Sequence, residues 1–516
     1  MESLLGLIIF LVMMAWLFKY LLEQMGISSS KSGAPGGKPW YLFLLPPMWG
    51  RGVLGLLGAL FFPEKLGLGR NNAKLMSRGE AAKIMSPSHT GFVVDGDKRR
   101  LSEDMSCRNL CVLASTGGGK TAGFIIPNIM MQSTGSMVIT DPSGAIFEKT
   151  AGDLVRRGYK VRIISPQQLE RSIRYNPLAQ AVTVPEINEV AHILVKTANP
   201  NSKDPFWTDS AEALLAFLIR TLKRTGDEGV MNLANLYYLL NSFGDGRGLN
   251  TFMATHADDT AFAEYKAFVG QSSNTMQSIL STAKTSLKFM ADPELAELTA
   301  SSSFDFESLR QEKTALFLIF PQARLSYYSI FLNLFYTQLF QYCLDDGAYR
   351  RGSLPVYFLL DEFGHLAIPG FGSIITTTRQ RRIAIAIILQ SLSQLESRYG
   401  KQEANTIING GIASKIFYSG LDHDTTRLLE AMLGTARREV RDSENRLHIK
   451  DDPILTAAEI RTMKDTEVIG FFANKRPAKF EIVRYFEHSG LRGRVGKKAP
   501  ELEGQGMTGV RYVSLK

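Results

Sequence analysis

The sequence predicts an α/β fold: a parallel sheet flanked by helices, with an all-α segment set into it and apolar segments ahead of it. Three observations carry this. The glycine-rich stretch Ala114-Ser-Thr-Gly-Gly-Gly-Lys-Thr121 lies between an apolar, strand-like run, Leu110-Cys-Val-Leu113, and a helix-like start, Ala122-Gly-Phe-Ile-Ile126. Around it, short apolar runs alternate with helical patterns, as βαβ units require. Between about residues 178 and 300 the alternation gives way to helical spacing, and then the sheet pattern resumes.

Length and composition set the bounds. At 516 residues the chain exceeds one ordinary domain, and 45% hydrophobic content can bury a large core. A net charge of +9 suits an anionic partner, either nucleic acid or an anionic membrane face, although membrane topology alone also produces basic chains. Cys107, Cys111 and Cys343 cannot form a disulfide framework, and with no His cluster beside them they read as reduced packing residues.

Taken in order, Leu4 to Leu22 is nearly all apolar, interrupted by Lys19. As a helix it spans about 28 Å, close to the hydrocarbon thickness, and Lys19 can snorkel to the interface. A cleaved signal peptide is the rival reading, but it wants a basic start and here Glu2 precedes the run. A polar loop, Glu23 to Pro39, leads to a second run, Trp40 to Phe62, which contains Pro46-Pro47 and Arg51. An arginine near mid-membrane costs about 2.5–3.5 kcal/mol on insertion scales, so this run is a kinked span with Arg51 facing protein or a partly inserted hairpin. Lys65, Arg70, Lys74 and Arg78 mark the following flank as cytoplasmic. Two spans are favoured, with both termini inside.

Residues 77–108 form a lead-in with a strand expected at Gly91–Asp95. The α/β pattern then runs through strand 110–115, a helix near 119–132, strand 136–140 ending at Asp141, a helix at 144–157 and strand 160–165. Helices are expected at 186–198, 208–224, 230–241, 258–268 and 274–290; in the second, Ala211, Leu214, Leu215, Leu218, Ile219 and Leu222 recur at helical spacing. The sheet resumes at 314–320, followed by helix 325–344, strand 355–360 and further strands at 383–389, 413–418, 467–473 and 479–485 with helices between. The expected divisions are a transmembrane region 1–65, a nucleotide-binding domain 77–177 plus 301–486, an all-α insertion 178–300 and a basic, mobile tail 487–516.

The chemistry of the glycine-rich stretch explains its residue types. Gly117, Gly118 and Gly119 let backbone N–H groups curl around an anion without Cβ clashes, and the helix that follows adds its positive end. Ser115, Thr116, the three glycines, Lys120, Thr121 and Ala122 are the candidate nucleotide-binding residues. Lys120 can reach the β- and γ-phosphates and Thr121 can ligate Mg²⁺. Ala114 replaces the first glycine of the usual pattern, at a turn where a small residue serves.

Leu359-Leu360-Asp361-Glu362 is the second signal, a buried strand ending in two acids, as a Walker B element does. Asp361 would hold Mg²⁺ with Thr121, and Glu362 would polarise an attacking water. Gln390 ends the next strand, where it can sense a γ-phosphate or cap the next helix. Asp141 ends the strand expected beside the phosphate-loop strand, and can contact Mg²⁺-bound water or cap the helix starting near Ser143. Arg379, Arg381 and Arg382 can place charge on a neighbouring subunit's nucleotide, face DNA or simply end a helix.

Together these residues resemble the type IV secretion coupling proteins, the TraG/TraD conjugation ATPase family. The matching elements are the two apolar runs, the loop 114–121, Thr140-Asp-Pro-Ser-Gly144, Tyr175-Asn-Pro-Leu178, Phe206-Trp207, Leu360-Asp-Glu-Phe-Gly364 and Leu389-Gln-Ser391, over about residues 1–485. Ser143 and Ala145 depart from the Asp-Pro-Lys-Gly-Glu stretch common in the family. The resemblance implies a RecA-like P-loop ATPase domain with an inserted all-α domain, assembled as a homo-hexamer at the bacterial inner membrane with the ATPase domain cytoplasmic. It implies ATP and Mg²⁺ as cofactors. It implies a single-stranded DNA or relaxase–DNA complex, or protein effectors, as cargo passed to type IV secretion channel components. It favours Arg379 as the trans-acting arginine.

The reading is therefore a Mg²⁺-dependent motor ATPase coupling DNA or protein to a type IV secretion channel, with Lys120, Asp361, Glu362, Gln390 and Arg379 as candidate catalytic residues. One alternative is a DNA translocase of the chromosome-segregation type, for which the C-terminal stretch looks too short. The other is a substrate receptor whose ATP binding is mainly structural, suggested by the large helical insertion.

Overall fold

The structure, a computed structural model, describes residues 73–515 apart from 201, 245, 351, 442–446, 503 and 505, so both apolar runs lie outside the described residues. Among the described residues no helix is long and apolar enough to cross a membrane.

The strands are β1 Leu110–Leu113, β2 Ser136–Thr140, β3 Lys160–Ile164, β4 Thr314–Leu318, β5 Val356–Leu360, β6 Ile383–Leu389, β7 Ser414–Phe417, β8 Thr435–Arg441, β9 Leu447–Pro453, β10 Glu467–Phe472 and β11 Ala478–Glu481. Nine of them form one sheet in the order β11-β10-β7-β1-β6-β5-β2-β4-β3. From β3 to β7 every neighbouring pair is parallel; β10 and β11 join antiparallel at one edge. The central strands β1, β5 and β6 are apolar throughout because both faces are covered. Alternate residues feed two cores: Val138, Leu316, Phe358, Leu360, Ile385 and Ile387 face one way. Met137, Ile139, Phe317, Tyr357, Leu359 and Ile388 face the other, with Phe92, Phe124 and Phe147.

Between β3 and β4 the chain is helical, with principal helices Val184–Ala198, Pro205–Arg224, Leu233–Asn241, Gly246–His256, Asp259–Val269 and Ser273–Leu287. Five of these starts carry a side-chain cap: Thr183 (a capping box with Glu186), Asp204, Asn232, Asp258 and Ser272. This stretch and the buried helix Leu325–Leu344 share the first core.

Among the strands and helices, two expectations need correction and two elements were not expected. Gly91–Asp95 makes a single bridge, Val93 to Arg100, because side chains take its amides: Ser106 Oγ accepts from Phe92 at 2.9 Å and Asn128 Oδ1 from Val93 at 2.8 Å. The sequence between β7 and β10 holds, besides the helix His423–Leu433, a β8–β9 antiparallel hairpin that was not anticipated. The helix Gly246–His256 was missed because glycine in its first turn masks the pattern. Gly248 is small because a Cβ there would collide with the Leu515 carbonyl. Finally, β2 is not beside β1: its neighbours are β5 and β4.

The segment after residue 487 is not a free tail. Leu491 is buried against Ile126 and Met130. Arg494 donates to both carboxylate oxygens of Asp153, at 3.1 and 2.6 Å, and to the Met130 carbonyl at 2.9 Å. Farther on, Glu297 accepts from the Thr508 and Gly509 amides at 2.9 and 3.0 Å, and Asn235 brackets Arg511 and Val513. The segment thus runs as a strap from the helix after the glycine-rich loop to the all-α insertion. Its apolar and ion-pairing residues are spaced among glycines, which gives no periodic signal in the sequence.

Candidate nucleotide site

The glycine-rich loop leaves the end of β1 with Gly117 at φ +78° and Gly119 at φ +84°, conformations that glycine adopts without strain. Gly118 N–H donates to the Ser115 carbonyl at 3.0 Å, closing the turn. Thr121–Ile125 then opens as a wide helical turn and continues as an α-helix over Ile126–Met131. Successive N–H groups in such a turn form an anion-binding concavity.

The second half of the site comes from β5. Lys120 Nζ lies 2.6 Å from Glu362 Oε1 and 3.7 Å from Asp361 Oδ1, with all three side chains roughly nine-tenths buried. Glu362 adopts φ +53°, ψ +37°, a left-handed conformation uncommon for a residue with a Cβ, and strain of this kind gathers at functional sites. Burial pushes the Asp361 carboxyl up to about 6; the Glu362 and Asp141 charges add to this and the Lys120 ammonium opposes it.

The sheet order places Gln390. β6 lies between β1 and β5, with Leu113 paired to Leu389 and Leu360 to Ile387, so Gln390 emerges between the loop and the acids. Its Nε2 donates to Glu362 Oε2 at 3.0 Å and its Oε1 accepts from the Thr116 hydroxyl at 3.3 Å. Ser391, not Gln390, caps the following helix. Asp141 serves the first turn of the helix Ala145–Arg156 without being its N-cap residue, which is Gly144: its Oδ2 accepts from the Phe147 amide at 2.7 Å, and burial raises its carboxyl despite that bond.

Lys120, Thr121, Asp361 and Glu362 line a cavity of about 190 Å³ together with Lys149 and Gln322, which the sequence reading did not single out. Gln322 follows β4 just after Pro321, so the end of that strand was its available signal. A cavity of about 740 Å³ lies against Leu113, Leu395, Ile408, Phe417 and Met432; it is mainly apolar and is lined by none of Lys120, Thr121, Asp361 and Glu362. The hydroxyl of Thr121 and the carboxylate of Asp361 are hard oxygen donors of the kind Mg²⁺ takes, and the loop amides with Lys120 suit phosphate oxygens.

Arg379 is not brought to this site within the chain. It precedes β6 while Gln390 follows it, so β6 separates them by roughly 20 Å. Arg379 Nε donates to Asp104 at 2.7 Å, Arg382 to Glu103 at 2.5 and 3.0 Å, and Arg381 pairs with Asp346.

A phosphate-binding loop on a central parallel strand, with paired acids two strands over and Gln390 on the strand between, defines a P-loop nucleotide-binding domain. The chain belongs to the family described as Type IV secretory system Conjugative DNA transfer, which it matches over residues 74–505. Protein VirD4 of Agrobacterium fabrum (strain C58 / ATCC 33970) is 25% identical over 404 residues, covering 74% of this chain and 59% of that protein. Conjugal transfer protein TraG of Rhizobium radiobacter is 23% identical over 418 residues, covering 75% and 63%. The chain thus spans 57–59% of the VirD4 relatives' length. Among solved structures, the bacterial conjugative coupling protein TrwBdeltaN70 superposes with a TM-score of 0.63 at 20% identity, covering 80% of this chain and 93% of that one. TrwB in complex with ADP and Mg²⁺ gives 0.62 at 18% identity, covering 86% and 97%. These likenesses establish the fold.

Proposed function

We propose that this chain is a Mg²⁺-dependent NTPase that couples conjugative substrate, a relaxase–DNA complex or protein effectors, to a type IV secretion channel. The observation that carries this is the convergence of Lys120, Asp361, Glu362 and Gln390 around one phosphate loop, in a chain of the conjugative DNA transfer family. TrwB, with the same fold, has been solved with ADP and Mg²⁺ and with ATP and GTP analogues.

In this reading the loop amides and Lys120 bind the β- and γ-phosphates, and Thr121 and Asp361 hold Mg²⁺. The bound metal supplies charge neutralisation for phosphoryl transfer. Glu362 takes a proton from the attacking water, and its left-handed backbone aims the carboxylate. Gln390 orients Glu362 and ties it to the loop through Thr116. Arg379 lies too far from its own subunit's loop and acts on a neighbour's nucleotide in a homo-hexamer. The runs 4–22 and 40–62 anchor the assembly in the bacterial inner membrane, with the NTPase domain cytoplasmic.

The test is ATPase activity of the full-length, detergent-solubilised protein with and without single-stranded DNA, alongside Lys120→Ala and Glu362→Gln. Turnover that rises with DNA at low salt and fades as salt is added supports DNA as substrate. A Glu362→Gln protein that hydrolyses nothing yet still supports transfer would replace the motor by a substrate receptor.

A further inference from the structure

The chain carries a cation at the phosphate loop that the motifs do not include. The segment after β11 turns back onto the loop's helix: Val483 N–H donates to the Asp95 carbonyl at 2.7 Å and Tyr485 N–H to the Ala122 carbonyl at 2.9 Å. The approach is close. A Cβ on Gly123 would meet Ile482 Cδ1 at 2.9 Å, and one on Gly96 would collide with the Val483 carbonyl. Between these anchors stands Arg484. A Cβ built on Gly119 would lie 3.6 Å from Arg484 Nε, so the guanidinium flanks the loop residue next to Lys120. That Nε is buried without a hydrogen-bond partner among the described residues, although buried arginine N–H groups usually find a carboxylate or carbonyl.

The side of the loop is informative. Asp361, Glu362 and Gln390 come from β5 and β6, on one flank of β1, while Arg484 comes from the β7-β10-β11 flank. A nucleotide whose terminal phosphate points to Glu362 presents its α-phosphate to the opposite flank. We propose that Arg484 is a nucleotide-contacting residue that pairs with the α-phosphate of a nucleoside di- or triphosphate. This rests on the proposed nucleotide-binding function and assigns the C-terminal edge of the sheet a part in it. A guanidinium with an unused donor already fixed beside the loop suits a phosphate oxygen, and binding satisfies a buried N–H.

The test measures ATP and ADP affinity of the full-length protein, with Arg484→Gln and Arg484→Lys, as a function of salt. Arg484→Gln is expected to weaken ATP and ADP by the same factor, about tenfold, and to flatten the salt dependence relative to wild type. Arg484→Lys recovers part of the affinity and keeps the salt slope. Because Nε has no hydrogen bond to lose, melting without nucleotide stays near wild type while the rise on adding ADP shrinks. Equal affinity of Arg484→Gln and wild type overturns the proposal, as does a loss for ATP with none for ADP. If Arg484→Gln does not fold, Arg484→Met, which keeps the apolar stem and removes the charge, is read by the same comparison. A wild-type protein that binds no nucleotide instead overturns the function proposed above.

Discussion

Gln390 joins Thr116 to Glu362: its amide nitrogen donates to the Glu362 carboxylate at 3.0 Å and its amide oxygen accepts from the Thr116 hydroxyl at 3.3 Å. One side chain thereby spans from the phosphate loop to the acid proposed as general base. It can do so because β6, which it ends, lies between β1 and β5. A change in loop geometry is felt at Glu362 through this side chain, which Gln394 steadies from behind: its Oε1 accepts from the Gln390 backbone N–H at 3.3 Å.

Gln390→Ala removes this link without touching the loop backbone. Turnover is expected to fall roughly ten- to a hundredfold, with ATP affinity changed less than about threefold, since an oriented proton acceptor is lost while phosphate contacts remain. Steady-state ATPase kinetics beside equilibrium nucleotide binding check this.

Asp361 gives the site a pH dependence. Burial first of all pushes its carboxyl up to about 6, so below that pH a proton would compete with the Mg²⁺ proposed for it. Mg²⁺-dependent nucleotide affinity is expected to hold above about pH 7 and to drop by up to about tenfold per unit below pH 6. The sign for folding is the reverse: an acid raised above its unfolded value destabilises the native state as pH rises from about 4 to 6. Titration calorimetry across pH 5–8, with and without Mg²⁺, reads the first, and thermal melting across about pH 4–7 reads the second.

Arg379 is expected to work only across a subunit boundary. Arg379→Ala and Lys120→Ala should each be inactive alone. Mixed assemblies of the two should recover activity, because an intact Lys120 site can then meet an intact Arg379 from the neighbour. ATPase assays on mixed assemblies at varied ratios read this directly, and absence of any recovery would place the arginine's role elsewhere.

The strap makes a stability prediction. Burial alone would raise the Asp153 carboxyl, but the Arg494 hydrogen bonds and the Arg494, Arg157 and Arg156 charges outweigh it and hold it below the ordinary value. That stabilisation is present above the unfolded pKa near 4 and is lost as pH falls through the lower folded value. Arg494→Ala should cost about 1–2 kcal/mol at pH 7. The difference in melting temperature from wild type should narrow on acidification below about pH 4.

Gly152 tests the same contact from the helix side. It lies inside Ala145–Arg156, where alanine is normally the better helix former, yet a Cβ there would collide with the Lys497 and Lys498 carbonyls. Gly152→Ala is therefore expected to destabilise by about 1–3 kcal/mol and to speed amide exchange over residues 490–500. A stabilising effect would mean that the strap does not hold this position.

Much of the site was legible because its signals are local. A phosphate loop needs glycines within a few residues of one another, and a buried parallel strand ending in Asp-Glu announces itself by an apolar run and its terminus. Gln390 could be suspected from its place at a strand end. Its bond to Thr116 could not, because strand neighbours are chosen by long-range burial and pairing rather than by local dihedral preference. The same limit placed Asp141 beside β1 when β2 in fact borders β5.

By itself, the sequence determined the α/β alternation, the loop at Ala114–Thr121, the acids at Asp361 and Glu362 and the helical stretch between β3 and β4, all set by spacing and residue type within single elements. The tertiary structure alone decided the sheet order, the left-handed Glu362, the ion-paired ends of Arg379 and Arg382, and the path of residues 487–515. The physical reason is the same in each case. A glycine-rich, basic segment has no periodicity of its own, and becomes ordered only where Asp153, Glu297 and Asn235, brought together by the fold, offer it charges and hydrogen bonds.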